Sequence, residues 1–192
     1  MAAQPRIPFT VQEYLALDRA SDRRFEYIEG DIVLMAGASR EHNIINNNLG
    51  GILYTQLRQR PCEVYTADMR VHISATDGYA YPDQVIVCGE PRFHAKTQPD
   101  TLLNPTVIIE VLSDTTADYD RGVKFENYRR IPSLQDYLLV SQTACHVVHY
   151  TRRPDDTWTL TETDRLDDTV DLPAIQCQLP LAEVYAKLDL AR

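Results

Sequence analysis

Apolar positions along the chain switch between two periods, and the switches mark out the elements. Val11, Tyr14, Leu15 and Leu17 recur at helical spacing, so Phe9 to Leu17 reads as a short helix with Thr10 placed to cap it. Two apolar-rich runs follow, Phe25-Glu26-Tyr27-Ile28 and Ile32-Val33-Leu34-Met35, joined by Glu29-Gly30-Asp31. A glycine in so short a connection signals a hairpin. Strand alternation puts Glu26 and Ile28 on one face of it, Phe25 and Tyr27 on the other. From about Ser39 to Arg60, Ile44, Ile45, Leu49, Ile52, Leu53 and Leu57 keep a period of about 3.6 residues. The run starts near Ser39 or Arg40 and stops at Pro61, which predicts the first long helix.

Strands are predicted at Glu63 to Ile73, Asp83 to Cys88 and Thr106 to Leu112, each dense in Val and Ile and bounded by Gly, Pro or Asn. A second helix is predicted from Ala117 to Arg130, capped by Thr116 or Asp118 and ended by Pro132 and Ser133, with Gly122 against it. Strands at Asp136 to Val140, His146 to Thr151 and Trp158 to Glu162 come next, the last after the Pro154-Asp155-Asp156 turn, and a helix from Leu181 to Leu188 closes the chain. The 192 residues, 44% of them hydrophobic and without repeat, low-complexity stretch or linker, read as one domain over 1–192. Helix, strands, helix, strands packs as an α/β fold: a central mixed β-sheet flanked by helices, preceded by an N-terminal helix and β-hairpin.

Charge and cysteines narrow the function classes. A formal net charge of -9 weighs against a broad basic face that coats nucleic acid, so any contact with DNA or RNA has to use a local basic patch, a metal or a partner. Cys62, Cys88, Cys145 and Cys177 form no CxxC pair, which leaves no zinc or redox motif, and they read as buried thiols in a reducing compartment. No run reaches the roughly 18 to 20 apolar residues of a membrane span, and the start, MAAQPRIPFT, has no signal-peptide core. A cytoplasmic location is the expectation.

Two acids stand where acids are costly. Tyr81-Pro82-Asp83 sets a carboxylate at the entry of an apolar strand, facing the sheet's rim, and Glu110 interrupts Val107-Ile108-Ile109-Glu110-Val111-Leu112. Burying that glutamate ionised calls for a cation or hydrogen-bond donors; the plain alternative is a strand-end Glu paired with an Arg or facing solvent. Asp120, Lys124 and Tyr128 stand at i, i+4 and i+8 on one helical face, which alone would be an ordinary surface ion pair. Their helix starts directly after the Glu110 strand, so that face is able to lean over the rim where Glu110 emerges.

Tyr81-Pro82-Asp83, Ile109-Glu110-Val111-Leu112-Ser113 and the D-x3-K-x3-Y set Asp120, Lys124, Tyr128, in this order, resemble the restriction endonuclease family often called Uma-two, a branch of the PD-(D/E)XK superfamily. Phe25 to Gly30 and Ser39-Arg40-Glu41-His42 fit the same pattern, and the likeness spans roughly Phe9 to Tyr150, with a motif core at about 25–150. The resemblance implies a restriction-endonuclease-like fold and a metal-dependent DNA endonuclease with Asp83, Glu110 and Lys124 as catalytic core. Asp83, Glu110 and the Val111 carbonyl would hold Mg2+, or Mn2+ in its place, through oxygen ligands. Lys124 would orient the attacking water, with Glu26, His42, Asp120 and Tyr128 in support; His42 is as readily a hydrogen-bonded structural histidine.

One departure matters. The superfamily's lysine stands two residues after the acid, where this chain has Leu112, so the site is either dead or takes its lysine from Lys124. The alternative function is therefore a catalytically silent binding or assembly module of the same fold. A hydrolase of small phosphorylated molecules would suit the acidic charge but lacks a phosphate-cradling glycine loop. Asp68 and Arg70 read as an ion pair near the site, and Arg129-Arg130 and Arg152-Arg153 as candidate phosphate contacts. DNA is the expected partner, a membrane is not, and a homo-oligomer stays open.

Overall fold

The computed structural model describes residues 8–35, 37–95, 100–113 and 120–190. Helix α1 (Val11–Ala20) opens with a capping box: the Thr10 side chain accepts from the Glu13 N–H while Glu13 accepts from the Thr10 N–H. The hairpin follows as β1 (Phe25–Ile28) and β2 (Asp31–Leu34), turned by Gly30 at φ 87, where a side chain would also strike Pro8. Helix α2 (Arg40–Leu57) is capped by Ser39 and buries Ile45, Leu49, Leu53 and Leu57, the stripe the period predicts.

The segment expected as a single strand from Glu63 to Ile73 is two. β3 (Cys62–Thr66) ends at a turn through Ala67 and Asp68, and β4 (Arg70–Ile73) continues in a different sheet. After β5 (Gly78–Ala80) come β6 (Gln84–Cys88), the short β7 (Thr101–Leu102) and β8 (Val107–Leu112). The expected second helix is described only from Asp120, because its caps Thr116 and Asp118 lie outside the described residues. It begins as a π-helical turn, Asp120–Lys124, and continues as α3 (Phe125–Tyr128). Then come β9 (Asp136–Ser141), β10 (Val147–Arg152) and β11 (Trp158–Thr163). A further hairpin that the sequence reading did not contain, β12 (Thr169–Leu172) and β13 (Cys177–Pro180), precedes α4 (Leu181–Val184), half the length expected.

The strands form a six-stranded sheet ordered β11-β10-β9-β8-β6-β3, a five-stranded sheet ordered β2-β1-β5-β4-β7, and the β12-β13 pair. The larger sheet is mixed, since β8 and β9 run parallel while β6 and β8 run antiparallel. One of its faces, with Ile86, Ile109, Leu138 and Val140, packs on α2, β12, β13 and α4. The other, with Val85, Val87, Ile108, Leu112 and Leu139, packs on α3 and on Val71, Ile73 and Ala80 of the smaller sheet. Outside the smaller sheet, α1 closes a Tyr14, Tyr27 and Tyr79 cluster. The expected central mixed sheet with flanking helices is present, and a second sheet extends the hairpin into its own layer.

Two expectations are corrected. Cys62 and Cys88 are not thiols but a disulfide, because the antiparallel β3–β6 register sets them directly opposite each other. Cys177 is a buried thiol, and Cys145 is half-buried. Asp68 and Arg70 do not pair: Asp68 meets Arg24 at 3.4 Å, and buried Arg70 binds Asp18 at 2.6 Å and Asp100 at 2.8 Å. These acids come from α1 and the approach to β7, far away in sequence. Among the described residues no helix is long and apolar enough to cross a membrane.

Candidate active site

The two strand acids meet because of register. β6 pairs with β8 as Gln84↔Ile109 and Val85↔Ile108, so one step further along Asp83 stands across from Glu110. Alternation puts Asp83 on the face of Val85 and Val87, and Glu110 on the face of Ile108 and Leu112, which is the same face. Asp83 is fixed through both oxygens: Oδ2 accepts from the Val111 N–H at 2.7 Å and Oδ1 lies 2.8 Å from His42 Nε2. His42 gets there because it sits in the first turn of α2, whose N-terminus crosses the rim of the sheet.

Glu110 is 3% exposed, and donors from the next helix satisfy it. Its Oε1 accepts from Lys124 Nζ at 3.1 Å and from the Tyr128 hydroxyl at 3.0 Å. The Lys124 ammonium also lies 3.2 Å from Glu26 Oε1 and 3.2 Å from Asp120 Oδ1. Glu26 comes from the inner face of the β1–β2 hairpin and is held by the Tyr81 N–H at 3.1 Å. Tyr137 completes the cluster by donating to the Asp120 carbonyl at 3.0 Å. Leu112, two residues after Glu110, is buried in the core.

The electrostatics follow from crowding acids in a low-dielectric site. Burial pushes the Glu110 carboxyl well above the ordinary glutamate range, and Asp120, Asp83 and Glu26 push the same way while Lys124 pulls it down. Burial works against the Lys124 ammonium, yet Glu110, Glu26, Tyr128 and Asp120 outweigh it and hold the amine firmly protonated. Burial likewise raises the Tyr128 hydroxyl, so it stays a donor toward Glu110. For His42, burial disfavours the charge, but the Asp83 hydrogen bond and carboxylate prevail and raise it above the ordinary histidine range. Four carboxyl groups thus share one ammonium and one imidazole, and Lys124 is the charge partner of three of them.

These side chains line a cavity of about 480 Å³. Glu26, Asp83, Glu110, Asp120, Lys124 and His42 reach it, as does the backbone of β8 at Val111, while Tyr128 lies behind Glu110. The sequence reading missed Asn43, Asn46 and Gln142 in the lining. The first two were legible as a polar stripe on α2, since Ser39, His42, Asn43 and Asn46 stand at i, i+3, i+4 and i+7. Gln142 was not, because it arrives from the β9–β10 turn and accepts from the Ser39 hydroxyl at 2.6 Å.

The basic runs do not line this cavity. Arg152 is spent on the carbonyls of Leu134, Arg129 and Ile131 and stacks over Trp158, and Arg129 pairs with Glu126. Among the described residues no three His, Cys, Asp or Glu side chains stand ready as a metal-ligand group. The donor chemistry nonetheless suits a hard cation: two carboxylates on adjacent strands and an excess of acids over cations around one ammonium.

Comparison with known proteins puts a family to this arrangement. The sequence profile of the family described as "Uma2: Putative restriction endonuclease" matches residues 11–182, and the chain belongs to that family. It is similar to two uncharacterized proteins of Synechocystis sp., sll1609 and slr1290. The first is 39% identical over 153 residues, covering 80% of this chain and 86% of the relative. The second is 33% identical over 191 residues, covering 98% of each. The fold is shared with a crystal structure described as a putative nuclease from Anabaena variabilis, at a TM-score of 0.78 and 18% identity, covering 93% of this chain and 98% of that one.

Proposed function

We propose that this chain is a Mg2+-dependent endonuclease that hydrolyses phosphodiester bonds of DNA, with Asp83, Glu110 and Lys124 at its centre. The observation that carries the reading is the position of Lys124, whose ammonium lies 3.1 Å from Glu110 although it comes from the adjoining helix and Leu112 fills the usual lysine position. Asp83, Glu110 and the Val111 carbonyl are the residues that would hold the metal. When bound, the ion supplies a water of lowered pKa and charge compensation for the phosphate.

The protein's own groups do the rest. Lys124, protonated and fixed by three carboxylates, presents a positive charge beside the reacting phosphate and orients the attacking water. Tyr128 keeps the Glu110 carboxylate turned toward the cavity by donating from behind. His42, held on Asp83 at 2.8 Å, is placed to pass a proton to the leaving oxygen.

The test is cleavage of supercoiled and linear DNA against Mg2+ and Mn2+, with EDTA and Asp83→Asn as controls. Metal-dependent nicking lost in Asp83→Asn is expected. No cleavage with either ion, together with no metal binding by calorimetry, would hand the chain to the silent binding-module reading.

A further inference from the structure

A polyanion that approaches four carboxyl groups needs positive charge at the cavity's mouth. Lys124 sits at the reacting centre, where Glu26, Glu110 and Asp120 already engage it. Arg24 stands closer to the outside. The hairpin register Phe25↔Leu34 extends one step further, since the Met35 N–H donates to the Arg24 carbonyl at 3.0 Å. Alternation therefore puts Arg24 on the face of β1 that carries Glu26 into the cavity, about 7 Å away along the strand. Its guanidinium lies 5.8 Å from the centre of the Tyr81 ring and 3.4 Å from Asp68. Tyr81, Met35 and Ala67, the neighbour of Asp68, line the cavity, so Arg24 stands at its edge rather than in its wall.

The guanidinium is loosely held there. Among the described residues it makes no hydrogen bond, and its charge partner is Asp68, whose side chain is 84% exposed. An ion pair of this kind contributes little and gives way to a better anion. Other arginines are engaged elsewhere: Arg70 binds Asp18 and Asp100, Arg19 binds Asp100, and Arg152 holds three carbonyls. A planar fork beside an aromatic ring suits a phosphodiester, whose two free oxygens it takes together. A nucleic-acid strand carries a phosphate for roughly every 3.4 Å of rise, so a group about 7 Å from Glu26 reaches a phosphate one or two nucleotides from the reacting one.

We propose that Arg24 is a strand-binding residue that exchanges Asp68 for a phosphate beside the reacting one, so that the site takes a phosphodiester chain in preference to an isolated phosphate ester. The inference rests on the nuclease reading and names how its substrate is held. It supplies the local positive charge that a chain of net charge -9 requires for contact with DNA. Asp68 is the competitor: it occupies the fork while the site is empty and is displaced when the strand enters.

Fluorescence anisotropy of the full chain with a short labelled DNA duplex, in Ca2+ and across a series of KCl concentrations, gives the affinity and its salt slope. Arg24→Ala should weaken binding about tenfold and reduce the slope of log K against log salt by about 1, the mark of one lost phosphate contact. Arg24→Lys should keep the slope, because the charge remains, and lose part of the affinity, because the fork does not. Asp68→Asn, at an exposed position, should tighten binding by about threefold with the slope unchanged. Circular dichroism checks the fold of each variant. An unchanged slope in Arg24→Ala, Asp68→Asn binding no tighter than the parent, or no binding of DNA by the parent overturns the proposal. Hydrolysis of bis(p-nitrophenyl) phosphate by the parent reports separately on the nuclease chemistry. Turnover of that small ester with an unchanged slope in Arg24→Ala sinks the Arg24 contact alone, and the change in slope without turnover sinks the hydrolase alone.

Discussion

Glu110 carries a tension that a substitution can read out. Its carboxyl is buried among three other acids, so its folded pKa is raised above the unfolded one. A group raised in this way contributes fully to stability below its unfolded pKa and loses that contribution as pH climbs through the folded value. Glu110→Gln keeps the size, removes that pH dependence, and should therefore melt higher than the parent by a margin that grows from about pH 5 to about pH 8. A margin that stays flat across that range would show that Glu110 carries no such strain. Saturating Mg2+ should narrow the margin, because only the parent gains from binding the ion. Lys124→Met makes the complementary case: three carboxylates lose their shared cation, so stability should fall by about 3 kcal/mol and hydrolysis by about a hundredfold. Adding Glu110→Gln to it should restore part of the melting temperature and none of the rate. A fully active Lys124→Met variant would remove the lysine from the mechanism.

Among the elements, α2 does the most positioning, because its first turn delivers His42 to Asp83 while Ser39 both caps the helix and donates to Gln142. Ser39→Ala should cost about 1 kcal/mol through the lost cap, read by chemical denaturation, and should also weaken substrate binding as the Gln142 turn detaches. Unchanged stability would mean that the helix start is held by His42 and its neighbours alone. This helix was legible in the sequence because its apolar stripe, its cap and Pro61 are all local signals, and the same holds for the β1–β2 hairpin and for β8 to β11. The approach of Lys124 to Glu110 was also legible, since i, i+4, i+8 spacing after a short connection needs no tertiary knowledge. The breaks were not. Glu63 to Ile73 has continuous strand propensity, and only the sheet change at Ala67-Asp68 divides it. The π-helical turn at Asp120–Lys124 leaves no periodic mark in five residues, and β12 and β13 hide among alternating polar positions with Pro173 between them.

At the scale of the whole molecule, what escaped the sequence is long-range pairing. Arg70 finds Asp18 and Asp100 and so ties α1 to the edge of the smaller sheet, and neither partner is a neighbour in sequence. Cys62 and Cys88 face each other only once β3 and β6 are in register, and their bond closes a loop 26 residues long that holds β3, β4, β5 and the Tyr81-Pro82-Asp83 turn. That loop carries Asp83 and Tyr81, the residues that position His42 and Glu26, so the crosslink constrains both the fold and the approach to the site. Loop-closure entropy for such a separation gives about 3 kcal/mol of stabilisation, equivalent to about 10 °C in melting temperature for a chain of this size. The Cys62→Ser, Cys88→Ser variant should therefore melt about that much lower than the oxidised parent and match the parent treated with a reductant. Alkylation of the denatured but unreduced protein should label Cys145 and Cys177 only. Labelling of all four cysteines in untreated protein, or identical melting with and without reductant, would show that the crosslink does not hold this part of the sheet together.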